Sequence, residues 1–151
     1  MFNFFKNNNE IKTNNSKASE IKELSELKKS IIDLRKIYDK LKESQIKNDL
    51  KKVILVSENI YKEVAKDSTK LNKVYKFNSY YIVTLIKVMN KYIELKSKKI
   101  INEDTKDLFI KIEDFVDKLK VSFDKLYESL FNDDVLDIDA EIKVMIQEMK
   151  F

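Results

Sequence analysis

The chain has 151 residues and a formal net charge of +4, and it contains no glycine, proline, cysteine or histidine. Average usage would supply about ten glycines and seven or eight prolines, and tight hairpins lean on glycine, so a β-rich fold is disfavoured. Without Cys or His there is no disulfide, no thiolate, no histidine base and no Cys/His zinc site, and without Gly no phosphate-cradling loop.

Residues 1–15, MFNFFKNNNEIKTNN, lack sustained periodicity and read as a flexible N-terminal tail ahead of one domain over residues 16–151. Phe2, Phe4 and Phe5 give that tail a second reading, as an aromatic anchor for a membrane surface or a partner groove. Nothing at this end resembles a secretory signal, and no apolar run approaches the roughly 20 residues that span a bilayer. The chain therefore reads as cytoplasmic, with a peripheral membrane position open.

A helix is predicted from about Ser16 to Glu43, with Ile21, Leu24, Leu27, Ile31, Leu34, Tyr38 and Leu41 spaced 3-3-4-3-4-3. That is a coiled-coil-like seam. The register breaks at KESQIKND, where it would place Gln45 and Asn48 inside, and resumes at Leu50, Val53, Ser57, Ile60 and Val64. Two helices meeting near Ser44 and one long helix with a register shift fit equally well.

KDSTK (66–70) is the next break, with Ser68 or Thr69 as the expected N-cap. The helix after it collects Tyr75, Ile82, Leu85, Ile86, Met89 and Ile93 on one face, flanked by Phe77, Tyr81, Val88, Tyr92 and Leu95. Lys73, Lys76, Tyr80, Thr84, Lys87, Lys91 and Lys98 line the opposite stripe. A wide apolar arc with one basic stripe predicts a central bundle helix. KSKKIINEDTKD (96–107) reads as a connection, with Asn102 as N-cap and Glu103 and Asp104 in the first turn. A fourth helix then carries Leu108, Ile112, Phe115, Val116, Leu119, Phe123, Leu126, Tyr127 and Leu130. FNDD breaks it, and Asp134 is expected to cap a last helix holding Ile138, Ile142, Met145 and Met149.

Candidate chemistry is sparse. The acidic run NDDVLDIDAE (132–141) has neither the alternate spacing nor the central glycine of an EF-hand, and capping and the helix dipole account for it. No cofactor or metal is expected, and no residue stands out as catalytic. Lys73, Lys76, Lys87 and Lys91, with Tyr80 to stack a base, form a conceivable nucleic-acid stripe. The alternative is that these lysines face the acidic C-terminal helices. The charge is bipolar, with +11 before residue 101 and −7 from there on. The seam through Leu27 and Leu34 could zip onto a partner helix, or pack inside the bundle.

FNSYYIVTLIKVMNKYIEL (77–95), preceded by ENIYKEVAKDS and followed by SFDKLYESLFNDDVLDIDAEIKVM (122–145), resembles the 5-bromo-4-chloroindolyl phosphate hydrolysis (XpaC-like) family. Ser68 and Val83 stand where members of that family often have proline. The resemblance implies a helical accessory protein associated with toxic-anion (tellurite) resistance proteins or envelope stress, and the family's name implies phosphate-ester hydrolysis. The expectation is an all-α antiparallel bundle of four or five long amphipathic helices, acting as a non-catalytic adaptor on a protein partner. Self-association, hydrolysis, and nucleic-acid or membrane-surface binding are the alternatives.

Overall fold

The computed structural model describes the backbone of residues 2–150 and the side chains of residues 17–150. Five α-helices follow one another: α1 (Phe2–Lys40), α2 (Gln45–Lys66), α3 (Ile82–Ser97), α4 (Glu103–Ser129) and α5 (Asn132–Glu148). A 3₁₀ segment (Ser68–Val74) and a π-helical segment (Phe77–Tyr81) lead into α3, and no strand occurs among the described residues. The architecture is an all-α bundle. The tail expected over residues 1–15, with Phe2, Phe4 and Phe5, lies outside the residues whose side chains are described.

Four helices enclose the core in the cyclic order α1, α2, α4, α3. Consecutive helices run antiparallel. Arg35 of α1 pairs with Glu58 of α2, while the ends of these two helices meet at residues 41–45. The remaining neighbours run parallel. Glu23 and Lys40 of α1 lie beside Asn78 and Ile93 respectively, and Asp49 of α2 lies beside Lys120 of α4, with Lys70 further on reaching Asp134. One end of the bundle therefore gathers the end of α1, the start of α2, the end of α3 and the start of α4. The other end gathers the 3₁₀ and π segments and the α4–α5 corner.

The break near Ser44 resolves as two helices. Ser44 caps α2 by accepting from the Lys47 amide at 3.4 Å. In this second helix Ile46, Asp49, Leu50 and Val53 turn inward, while Gln45 and Asn48 stay outside. The seam of α1 packs inside: Leu27 and Leu34 are fully buried, with Ile31 and Leu41 between and after them. Two positions depart from it. Ile21 lies on the surface, and Ile37 replaces Tyr38 in the core, leaving the tyrosine half-buried beneath the Lys47 ammonium at 4.7 Å.

The phase expected for the third helix is also corrected. Tyr75 and Tyr81 were placed on or beside its core face, yet both are exposed, whereas Phe77 and Tyr92 are buried. The reason is local winding. Leu71, Val74 and Phe77 point inward at intervals of three, the period of a 3₁₀-helix. The Ile82 amide then bonds the Phe77 carbonyl five residues back, and the inward set resumes as Ile82, Leu85, Met89 and Tyr92. A continuous α-helical count cannot carry a phase through such a segment. The N-cap here is Asp67 rather than Ser68 or Thr69, and its carboxylate accepts from the Thr69 amide at 3.2 Å and hydroxyl at 2.6 Å. Asn102 caps α4 as expected, and Thr105 returns the bond to complete a capping box.

The core is mainly aliphatic, with Met89, Tyr92 and a few polar groups, and with Phe77 meeting Phe123 edge-on at 4.8 Å. Asp49 is the buried acid. It accepts from Lys120 Nζ and Gln45 Nε2, each at 2.8 Å, and so joins α2 to α4. Burial pushes its carboxyl upward, but the bonds from Lys120 and Gln45 outweigh that and hold it below its ordinary value of 3.8. A depressed folded value stabilises the fold above the unfolded one and is lost as pH falls through the folded one. Asp49→Asn should therefore lower stability at neutral pH by about 1–3 kcal/mol. The difference from wild type should shrink as pH drops below 3.8. Urea unfolding across that range checks it, and a pH-independent gap would show that Asp49 acts through packing alone.

Candidate functional site

Of the six described residues that the sequence offers for interaction, the structure engages four. Leu27 and Leu34 are enclosed in the core and present no surface to a partner. Lys73 pairs with Asp133 at 2.9 Å and Lys91 with Glu94 at 3.0 Å, while Lys76 and Lys87 remain on the surface. Tyr80 is exposed beside Tyr81, with ring centroids 5.6 Å apart. Two of the four stripe lysines are thus engaged by acids.

What the sequence did not isolate is α5. Its amphipathic pattern reads as one more bundle helix, yet no residue of α5 is buried. Val135, Ile138, Ile142, Met145 and Met149 are each between 51% and 65% exposed. They recur at spacings of three and four, the seam of a coiled coil. Asp134, Asp139, Glu141 and Glu148 take the positions flanking this seam, with Ile146 the one apolar flank. The helix as a whole carries six acids and one lysine, a net −5. At 17 residues it offers a stripe about 25 Å long.

Its base is held firmly. Leu130 is fully buried at the end of α4, and Phe131 meets Tyr127 edge-on at 5.2 Å. Lys70, itself buried, donates to Glu63 at 2.8 Å and to Asp134 at 2.7 Å, and its ammonium lies 4.6 Å from the centre of the Phe131 ring. The bonds to Asp134 and Glu63 raise the Lys70 pKa well above its ordinary value, so the clamp stays charged. Asp134 was expected to cap the helix. Instead the N-cap position falls on Phe131, without a side-chain bond, and Asp134 serves as the anchor to Lys70. Three of the five acids in the run 132–141 form ion pairs, Asp133 with Lys73, Asp134 with Lys70 and Asp139 with Lys143. Among the described residues no three carboxylates converge as a metal cage, and no helix is long and apolar enough to cross a membrane.

A four-helix bundle carrying a clamped, uncovered fifth helix defines a class of helical module without a preformed catalytic constellation among the described residues. The chain belongs to the 5-bromo-4-chloroindolyl phosphate hydrolysis protein family, whose pattern matches residues 5–145. No curated protein and no solved structure matches it.

The clamp predicts a local effect on α5. Lys70→Met should speed amide exchange at residues 132–136 about tenfold while leaving protection in α2 and α4 unchanged. Exchange measured by mass spectrometry tests this. Unaltered exchange at residues 132–136 would show that the Leu130–Phe131 corner alone orients the helix.

Proposed function

We propose that the protein is a non-catalytic helical adaptor, and that α5 is its docking element. The carrying observation is the apolar stripe of α5, uncovered along its length and flanked by acids. The charge selects the partner. A second α5 laid along the first would bring Asp139, Glu141 and Glu148 against their counterparts, and like charges across such a seam are repulsive. A helix with its own apolar stripe flanked by lysine or arginine meets both requirements. The cytoplasmic setting belongs to this proposal as a reading of the sequence, and a link to toxic-anion (tellurite) resistance proteins or envelope stress belongs to it through the family resemblance.

A second reading rests on the family description, which names hydrolysis of an indolyl phosphate. Under the adaptor reading the purified protein leaves such a substrate at background, with or without added Mg²⁺, Mn²⁺ or Zn²⁺. Turnover that persists through repurification and is lost on changing a single carboxylate would replace that reading with an enzymatic one.

The adaptor reading predicts that a synthetic helix with an Ile/Leu seam and lysine flanks binds the protein at low ionic strength and weakens as salt is added. Its counterpart with glutamate flanks should not bind. Ile138→Glu with Ile142→Glu should abolish binding without lowering the melting temperature, because neither residue is buried. Fluorescence anisotropy supplies the readout. Binding that ignores flank charge, survives the double substitution, or is replaced by self-association of the protein would overturn the reading.

A further inference from the structure

The stripe through Val135, Ile138, Ile142, Met145 and Met149 does not exhaust the apolar surface of α5. Leu136, Ala140 and Val144 recur every four residues along the same helix. All three are exposed, Leu136 at 66% and Val144 at 56%. At about 100° per residue, this second line lies roughly half a turn around the helix from the centre of the first. The two lines therefore face in opposite directions. A helix that packs on one neighbour carries one apolar face, whereas apolar residues on opposite sides suit a helix that is enclosed.

The edges between the two lines differ. One consists of Asp134, Asp137, Glu141 and Glu148. Lys70 takes Asp134 at the base, and the other three form no ion pair among the described residues. The opposite edge holds Asn132, Asp139, Lys143 and Ile146, and its two charges pair with each other at 2.9 Å. Unpaired charge on α5 is thus confined to one edge.

That edge is shaped as well as charged. The small side chain of Ala140 leaves a hollow of about 410 Å³, walled by Val144 and Met145 and by the carboxylates of Glu141 and Glu148. No basic residue of the chain lines it. A lysine or arginine fits on both counts, with its aliphatic stem against the apolar residues and its charge beside the carboxylates. Other occupants fit poorly. A lipid surface takes a helix with one apolar face and a basic opposite face, and α5 has neither. A second α5 would bring carboxylates against carboxylates.

The geometry points to a partner that grips α5 from two opposite sides: two helices of one protein, each with an apolar stripe, and with lysine or arginine on the rims facing the acid edge. Packed helix axes stand about 8–10 Å apart, so the slot that α5 fills separates the two partner axes by about 16–20 Å. One wall lies on the stripe through Ile138 and Ile142, the other on Leu136, Ala140 and Val144, and a basic residue of the rim enters the hollow at Ala140. This inference rests on the docking role proposed for α5 and extends its partner from a single helix to a slot with two walls.

The test uses the full chain and two probes, followed by fluorescence anisotropy: the synthetic helix with an Ile/Leu seam and lysine flanks, and a tandem of two such helices. A Gly/Ser linker of about 20 residues joins the arms, and its root-mean-square span of about 25 Å clears the end of α5. The lysine flanks keep the arms from pairing with each other. The tandem should bind at least about tenfold more tightly than the single helix, because its second arm engages intramolecularly. Leu136→Gln with Val144→Gln should return the tandem to the affinity of the single helix and leave the single helix unaffected. Neither residue is buried, so the melting temperature should hold. Glu141→Gln with Glu148→Gln should weaken the tandem about tenfold. A tandem that binds no more tightly than the single helix, keeps its advantage without Leu136 and Val144, or ignores the loss of the two carboxylates overturns the inference and leaves the single-stripe reading standing. A single helix that fails to bind overturns the docking role, and the inference falls with it.

Discussion

A chain without glycine or proline must turn its corners with residues that resist turning, and the architecture follows from how it does so. Ser44, Asp67 and Asn102 start helical segments by accepting backbone amides that would otherwise be orphaned. After α3 the chain takes the left-handed step at Lys99, at a cost of about 1–2 kcal/mol for a residue with a Cβ. Between α2 and α3 it hardly leaves helical geometry at all, passing through the 3₁₀ and π segments. At Leu130 and Phe131 both residues keep negative φ, and α5 departs with none of its side chains buried. The uncovered helix and the strained lysine both stand at such corners.

Much of the fold was legible because amphipathic periodicity reports directly on burial. Leu27, Ile31, Leu34 and Leu41 were read as a seam and are one, and Asn102 was read as a cap and is one. Periodicity failed where winding changes. Leu71, Val74 and Phe77 are spaced by three, and Ile82 follows five later, a pattern that encodes the 3₁₀ and π turns once the α-helical period is not imposed on it. The fate of α5 was illegible for a different reason. An apolar stripe states that a helix wants a neighbour but does not say whether the neighbour belongs to the same chain. The signal that could have marked it is the set of acids on both flanks of the stripe, Asp139, Glu141 and Glu148, where a helix buried in a bundle would leave at least one flank to its neighbours.

The bipolar charge has a specific spatial meaning. The basic middle of the chain and its acidic end do meet, but only at the base of α5, where Lys70 and Lys73 take Asp134 and Asp133. Beyond that contact the acids of α5 have the single lysine Lys143 for relief. At the other end of the bundle Lys40, Lys42, Lys96 and Lys99 have no ion-pair partner among the described residues. The first turn of α4 brings Glu103 and Asp104 to that same end, so it carries both signs of charge, whereas α5 beyond its base is predominantly acidic.

Rigidity distinguishes α5 from a helix that has merely failed to pack. A loose terminal helix would have a polar or apolar joint that any thermal motion could swing. Here the joint is the buried Leu130, the ring pair Tyr127–Phe131 and a lysine held by two carboxylates, which together set the direction of the stripe proposed for docking. Fixing it in advance removes ordering entropy that would otherwise oppose association. The same joint has a second consequence. Lys70 bridges Glu63 of α2 and Asp134 of α5, and further back along α2 Asp49 is held by Lys120 of α4. Of the polar groups that interrupt this core, Lys70 joins the free helix to α2, and Asp49 joins α2 to α4.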